Sequence, residues 1–83
     1  MTAVLTVRYF AGARAAAGGL SAEPAEASTI DALTQVLADR HGDRLAVVLT
    51  AASFLVDGLA CHDRHAALPA GATVDVLPPF AGG

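Results

Sequence analysis

The chain contains no lysine, no tryptophan and a single cysteine, Cys61, in 83 residues. A lone cysteine excludes an intrachain disulfide, and without lysine, copies of the chain cannot be joined through their own side-chain amines. The five basic residues, Arg8, Arg14, Arg40, Arg44 and Arg64, are scattered along a chain of formal net charge −3. No basic cluster is available for nucleic acid or an anionic membrane surface. No apolar run approaches the ~20 residues that a membrane span requires, and no basic flank leads into an apolar run at the N-terminus, so a cytoplasmic protein is expected. Also missing are a paired acid and base, a nucleophile beside a base and a phosphate-binding loop, which argues against a free-standing enzyme.

What is present is 54% apolar residues, enough for one core in one domain. The most informative stretch is the end, Val74-Asp75-Val76-Leu77-Pro78-Pro79-Phe80-Ala81-Gly82-Gly83. Its first four residues alternate as a strand with one buried face. Pro78 and Pro79 then stop the ladder, because proline has no N–H to donate and fixes φ. The diglycine end accepts backbone conformations closed to other residues and adds no Cβ, so it suits a narrow channel. The expected division is a folded domain over residues 1–78 and a flexible tail over 79–83, a reactive or docking arm.

Ahead of that arm, residues 3–10 alternate as a strand with Ala3, Leu5, Val7 and Tyr9 facing inward and Val4, Thr6, Arg8 and Phe10 outward. Residues 11–19 are small and glycine-ended and read as a turn, followed by a weak strand over 20–26 in which Pro24 favours an edge. Thr29 and Asp31 supply a helix start. Ile30, Leu33, Val36 and Leu37 follow at helical spacing, and His41-Gly42 gives the stop. Residues 44–50 read as a short second helix or a turn. Residues 53–57 form a third strand with Phe54 and Val56 inward and Leu55 outward, and Asp57-Gly58 turns it into a short return strand over 59–61. Leu68 plugs the core, and residues 69–71 turn into the last strand. Both ends in strands around an inserted helix predict an α+β roll whose first and last strands pair in parallel.

Read together, Tyr9-Phe10-Ala11-Gly12-Ala13-Arg14 and Leu77-Pro78-Pro79-Phe80-Ala81-Gly82-Gly83 resemble the two signatures of the small subunit of molybdopterin synthase, in the MoaD/ThiS group of ubiquitin-like sulfur carriers. The resemblance covers essentially the whole chain, and the Phe-Ala-x-x-Arg element favours the molybdopterin branch over the thiamine branch. It implies a ubiquitin-like β-grasp: a mixed sheet of four to five strands on one main helix plus a short second helix. It also implies a carrier with no bound cofactor. A ubiquitin-activating-like adenylyltransferase would use ATP to adenylate Gly83, a persulfide protein would supply sulfur, and the thiocarboxylate would donate it to a pterin precursor with the large subunit of molybdopterin synthase. Carriers for thiamine thiazole or cysteine biosynthesis, and protein modifiers, share this tail. Two departures stand out: Asp57-Gly58 where the family commonly has Asn-Gly, and Gly71-Ala72-Thr73 where it commonly has Gly-Asp-Glu, so two acids that could meet a basic partner are missing.

On this reading Gly83 is the covalent site, and Gly82 and Ala81 pass through the partner's channel. Phe10, Leu55, Leu77 and Phe80 form the docking patch. From Phe80 to the terminus the extended chain reaches about 13 Å at ~3.3 Å per residue, so the folded face must press on the partner. The polar loop from Cys61 through His62, Asp63, Arg64 and His65 offers three or four possible ligands on one short segment, a poor zinc site and a better solvated loop. Cys61 reads as a small buried hydrophobe, and Arg14 as a structural or docking side chain.

Overall fold

The computed structural model describes residues 3–79. Eight elements follow in order: β1 (Ala3–Tyr9), α1 (Gly12–Ala16), β2 (Ala22–Ala27), α2 (Ile30–His41), α3 (Asp43–Ala51), β3 (Ser53–Val56), β4 (Leu59–Ala60) and β5 (Thr73–Leu77). They build one mixed sheet of order β2-β1-β5-β3-β4. β1 and β5 run parallel at its centre, Arg8 opposite Asp75 and Tyr9 opposite Val76, and the other neighbours are antiparallel. This is the expected α+β roll and β-grasp arrangement.

One face of the sheet is covered by the helices. Leu5, Val7 and Tyr9 of β1, Val74 and Val76 of β5 and Phe54 of β3 meet Ile30, Leu33 and Leu37 of α2 and Leu45 and Leu49 of α3 in a single buried cluster. Truncating any of these leucines to alanine removes buried area and leaves a cavity, at a cost of about 2–5 kcal/mol. α2 starts where expected: the Thr29 hydroxyl accepts from the Ala32 N–H at 3.1 Å, with Asp31 in the first turn. Gly42, at φ 96°, ends α2 and opens α3, a backbone region that strains other residues. Leu68 is buried, and the loop carrying it is tied to the start of α2 by Leu68 N–H to Ser28 O at 2.8 Å and Asp31 N–H to Arg64 O at 3.0 Å.

Two sequence expectations change. Residues 11–19 contain the helix α1, because an alanine run has high helix propensity and Ala13, Ala16 and Ala17 are spaced to bury one side. The helix over 44–50 extends to nine residues, giving three helices in all among the described residues. The weak second strand is real and lies at the sheet edge over Ala22–Ala27, with Pro24 inside it. Proline is tolerated there because Thr6↔Pro24 alternates with the hydrogen-bonded positions of the ladder, so its missing N–H would have pointed away from β1.

Candidate docking face and tail exit

The second face of the sheet carries no helix, and strand register decides what meets on it. Arg8, Asp75, Leu55 and Ala60 form one row across β1, β5, β3 and β4. Leu77 lies opposite Ser53, and Phe10 continues β1 beside it, with Phe10 N–H bonded to Val76 O at 3.3 Å. The predicted patch residues Phe10, Leu55 and Leu77 are therefore neighbours, each half-buried. β5 ends at Leu77 at the margin of this face, and Pro78 and Pro79 leave the ladder there. Phe80, Ala81, Gly82 and Gly83 lie outside the described residues.

The centre of the face is ionic, and although the alternation pattern put Asp75 outward, its burial there was not anticipated. Arg8 Nε donates to Asp75 Oδ1 at 2.6 Å and Nη2 to Oδ2 at 2.8 Å, a two-bond fork. The aspartate side chain is 7% exposed and the arginine 51%, so the acid is covered while the base faces outward. The Arg8 guanidinium also sits over the Phe10 ring, 5.6 Å from its centroid. Hydrogen bonding and the charge of Asp75 raise the Arg8 pKa further above its ordinary value. The signal available in the sequence was an outward-facing base and acid on the two strands expected to pair, Arg8 and Asp75, but it becomes specific only once the register is known.

A second ionic cluster ties the sheet edge to the end of α2. The buried Tyr9 hydroxyl donates to Glu23 Oε2 at 2.5 Å, Arg40 Nη1 donates to Glu23 Oε1 at 2.7 Å, and His41 Nε2 also bonds Oε2. Arg40 reaches on to the carbonyl of Pro24 at 2.8 Å. Burial acts to raise the Glu23 pKa, but the bonds from Tyr9, Arg40 and His41 outweigh it and the carboxyl is held below its ordinary range. The Tyr9 hydroxyl is pushed far above its ordinary range, first by burial and then by its bond to Glu23.

The polar loop is tied to α2, α3 and β3 by side-chain contacts. Arg64 Nη2 bonds the carbonyl of Leu49 at 3.1 Å, near the end of α3, and the guanidinium stacks over Phe54 at 5.1 Å. Asp63 accepts from the His65 N–H at 2.9 Å, and the His65 ring pairs with Asp31 at 3.2 Å. Cys61 is half-buried against the core, with its thiol 3.5 Å from the Asp63 carbonyl, and His62 is exposed. Among the described residues no three His, Cys, Asp or Glu side chains gather as a metal site, and no helix is long and apolar enough to cross a membrane. Arg14, in α1, is exposed.

The model of the ThiS family matches residues 7–83. The fold is similar to the small archaeal modifier protein 1 (SAMP1) of Methanosarcina acetivorans, with a TM-score of 0.84 at 20% identity over 100% of this chain and 99% of that one. It is similar to a putative molybdopterin converting factor subunit 1 of Pyrococcus furiosus, at 0.75 and 22% over 94% and 99% of the two chains. It is also similar to a chain in the complex of subunits 1 and 2 of the molybdopterin-converting factor of Helicobacter pylori, at 0.71 and 19% over 96% and 99%. No curated protein matches the sequence. Since the family model spans all but the first six residues, the chain belongs to the ThiS family, in the ThiS/MoaD group of ubiquitin-like β-grasp sulfur carriers.

Proposed function

We propose that this chain is the sulfur-carrying small subunit of a molybdopterin synthase-type complex, acting through the carboxylate of Gly83. The observation that carries the reading is the family match running to residue 83, at the end of an arm that leaves the central strand β5 beside the helix-free face. A carboxylate resists attack by sulfur because it is anionic and has a poor leaving group. A ubiquitin-activating-like adenylyltransferase therefore joins Gly83 to the AMP part of ATP, releasing pyrophosphate. The terminal sulfur of a persulfide protein attacks the acyl carbon and AMP departs. A second thiol then reduces the resulting acyl disulfide, leaving the thiocarboxylate. The thiocarboxylate sulfur then attacks a pterin precursor on the large subunit, and water hydrolyses the resulting thioester, leaving the sulfur on the pterin and returning Gly83 as a carboxylate. Residues 1–78 are the folded carrier and 79–83 the arm. Phe10, Leu55, Leu77 and Phe80 dock the partner, and Gly82 and Ala81 thread its channel.

The test is intact mass after incubation with the adenylyltransferase, ATP and a persulfide donor. The expected product has one terminal oxygen replaced by sulfur, and adding a residue after Gly83 abolishes it without changing thermal stability. Absence of that product from the native chain overturns the reading. The similarity to SAMP1 favours one second reading, a protein modifier. In that case the chain appears covalently attached to other proteins, itself accepting nothing on lysine because it has none.

A further inference from the structure

We infer that Arg8 is a specificity-determining contact of the docking face, and that it bonds an uncharged acceptor, main-chain carbonyl oxygen, on the adenylyltransferase surface that receives the arm. The inference rests on the sulfur-carrier reading above. Its starting point is that the Arg8–Asp75 pair uses only one edge of the guanidinium. Nε and one N–H of Nη2 are engaged by Asp75. Among the described residues nothing accepts from Nη1, so the opposite edge presents its N–H groups outward from a side chain that is half exposed.

The guanidinium is also held in place. Asp75 fixes one edge and Cζ stands over the Phe10 ring, 5.6 Å from its centroid, so little side-chain freedom is lost when a partner arrives. The position makes the free edge hard to avoid. Arg8 stands in the row with Asp75 and Leu55, beside Phe10 and Leu77, at the margin of which the arm departs. A partner close enough to receive a tail of about 13 Å covers this row, and N–H groups covered without an acceptor would be costly.

Charge decides the kind of acceptor. Arg8 and Asp75 already neutralise each other, and their surroundings on this face are the apolar Phe10, Leu55 and Leu77. A carboxylate brought opposite Arg8 would leave a net negative charge in the closed interface, which is expensive to desolvate. A carbonyl accepts the same N–H groups without adding charge, and a bond from a charged donor is stronger than one between neutral groups.

The experiment measures affinity of the full chain for the adenylyltransferase by calorimetry, and thermal stability in parallel, for the native protein and two variants. In the first, Arg8→Met with Asp75→Val, both charges are removed together, so neither is left buried alone. It is expected to melt at or above the native temperature and to bind at least tenfold more weakly; equal or tighter binding overturns the inference by showing that the face is read as apolar surface. The second, Arg8→Lys, keeps the charge beside Asp75 but loses the planar second edge. It is expected to bind several-fold more weakly, and unchanged binding overturns the inference even where the first variant fails to fold. Native affinity is expected to change little between low and high salt, whereas a steep loss with salt would overturn the uncharged acceptor. Failure of the native chain to bind or be charged defeats the sulfur-carrier reading itself, which keeps the two failures distinct.

Discussion

Two ionic clusters among the described residues are built on the same sheet and differ in how many partners their carboxylate has. At the edge, the Glu23 carboxylate takes bonds from Tyr9, Arg40 and His41. On the helix-free face, Asp75 takes both of its bonds from Arg8 alone, and half of Arg8 remains exposed. A carboxylate shared by three donors fastens elements together: here it joins β2 to the end of α2 and accepts from a buried tyrosine hydroxyl. The pair with a single partner lies on the helix-free face beside Phe10, Leu55 and Leu77, where β5 ends. The first cluster holds the fold, and on the reading proposed above the second meets a partner.

Glu23→Ala should have the largest effect on stability. It strips the acceptor from Tyr9, whose hydroxyl is buried, and leaves Arg40 and His41 without their common partner, at a cost of about 1–3 kcal/mol for the orphaned hydroxyl alone. Denaturant titration is expected to show this loss, with affinity for the adenylyltransferase unchanged once the variant is folded. Weakened binding at unchanged stability would reverse the roles assigned to the two clusters.

Next in size is an asymmetry within the open pair. Arg8→Met leaves Asp75 covered and unpaired, whereas Asp75→Asn leaves an arginine that can turn to water. Melting temperatures are expected to fall further for Arg8→Met than for Asp75→Asn. The opposite order would mean that Asp75 is hydrated and the pair is an ordinary surface one.

Acid sharpens the contrast. The Glu23 carboxyl is held below its ordinary value of 4.5, so the folded state binds its proton less readily than the unfolded chain does. That contribution is fully present above about pH 4.5 and fades as pH falls through the lower, folded-state value. Comparing native protein with Glu23→Gln, the stability gap at neutral pH should shrink below pH 4.5. A constant gap would show that the carboxylate's charge contributes nothing.

The smallest effect concerns the turn that ends β1, between the two clusters in sequence. Ala11 has φ 49° and ψ −122°, and Phe10 O accepts from the Ala13 N–H at 3.0 Å, the geometry of a turn that prefers glycine at its first central position. Ala11→Gly should relieve that strain and raise stability by up to about 1 kcal/mol, although a freer unfolded chain offsets part of the gain. Destabilisation would place the alanine side chain in packing that its exposure does not reveal.

The order of strands, the capped helix α2, the plug Leu68, the edge role of Pro24 and the inward set Leu5, Val7 and Tyr9 were all determined by the sequence itself, because each rests on period, capping or proline chemistry within a short window. The helix α1 was masked by Gly12 at its start and Gly18-Gly19 after it, since local composition weighed flexibility against an alanine run and only burial against α3 decided between them. The two ionic clusters needed the tertiary structure. Arg8 and Asp75 are 67 residues apart, and Glu23 reaches Tyr9 across 14 residues and His41 across 18. The chain names the charges, but parallel register and the angle at which α2 crosses the sheet decide which of them meet. Both carboxylates end nearly covered, Glu23 at 9% and Asp75 at 7% side-chain exposure, and what separates them is that Glu23 gathers donors from β1 and α2 whereas Asp75 has Arg8 alone.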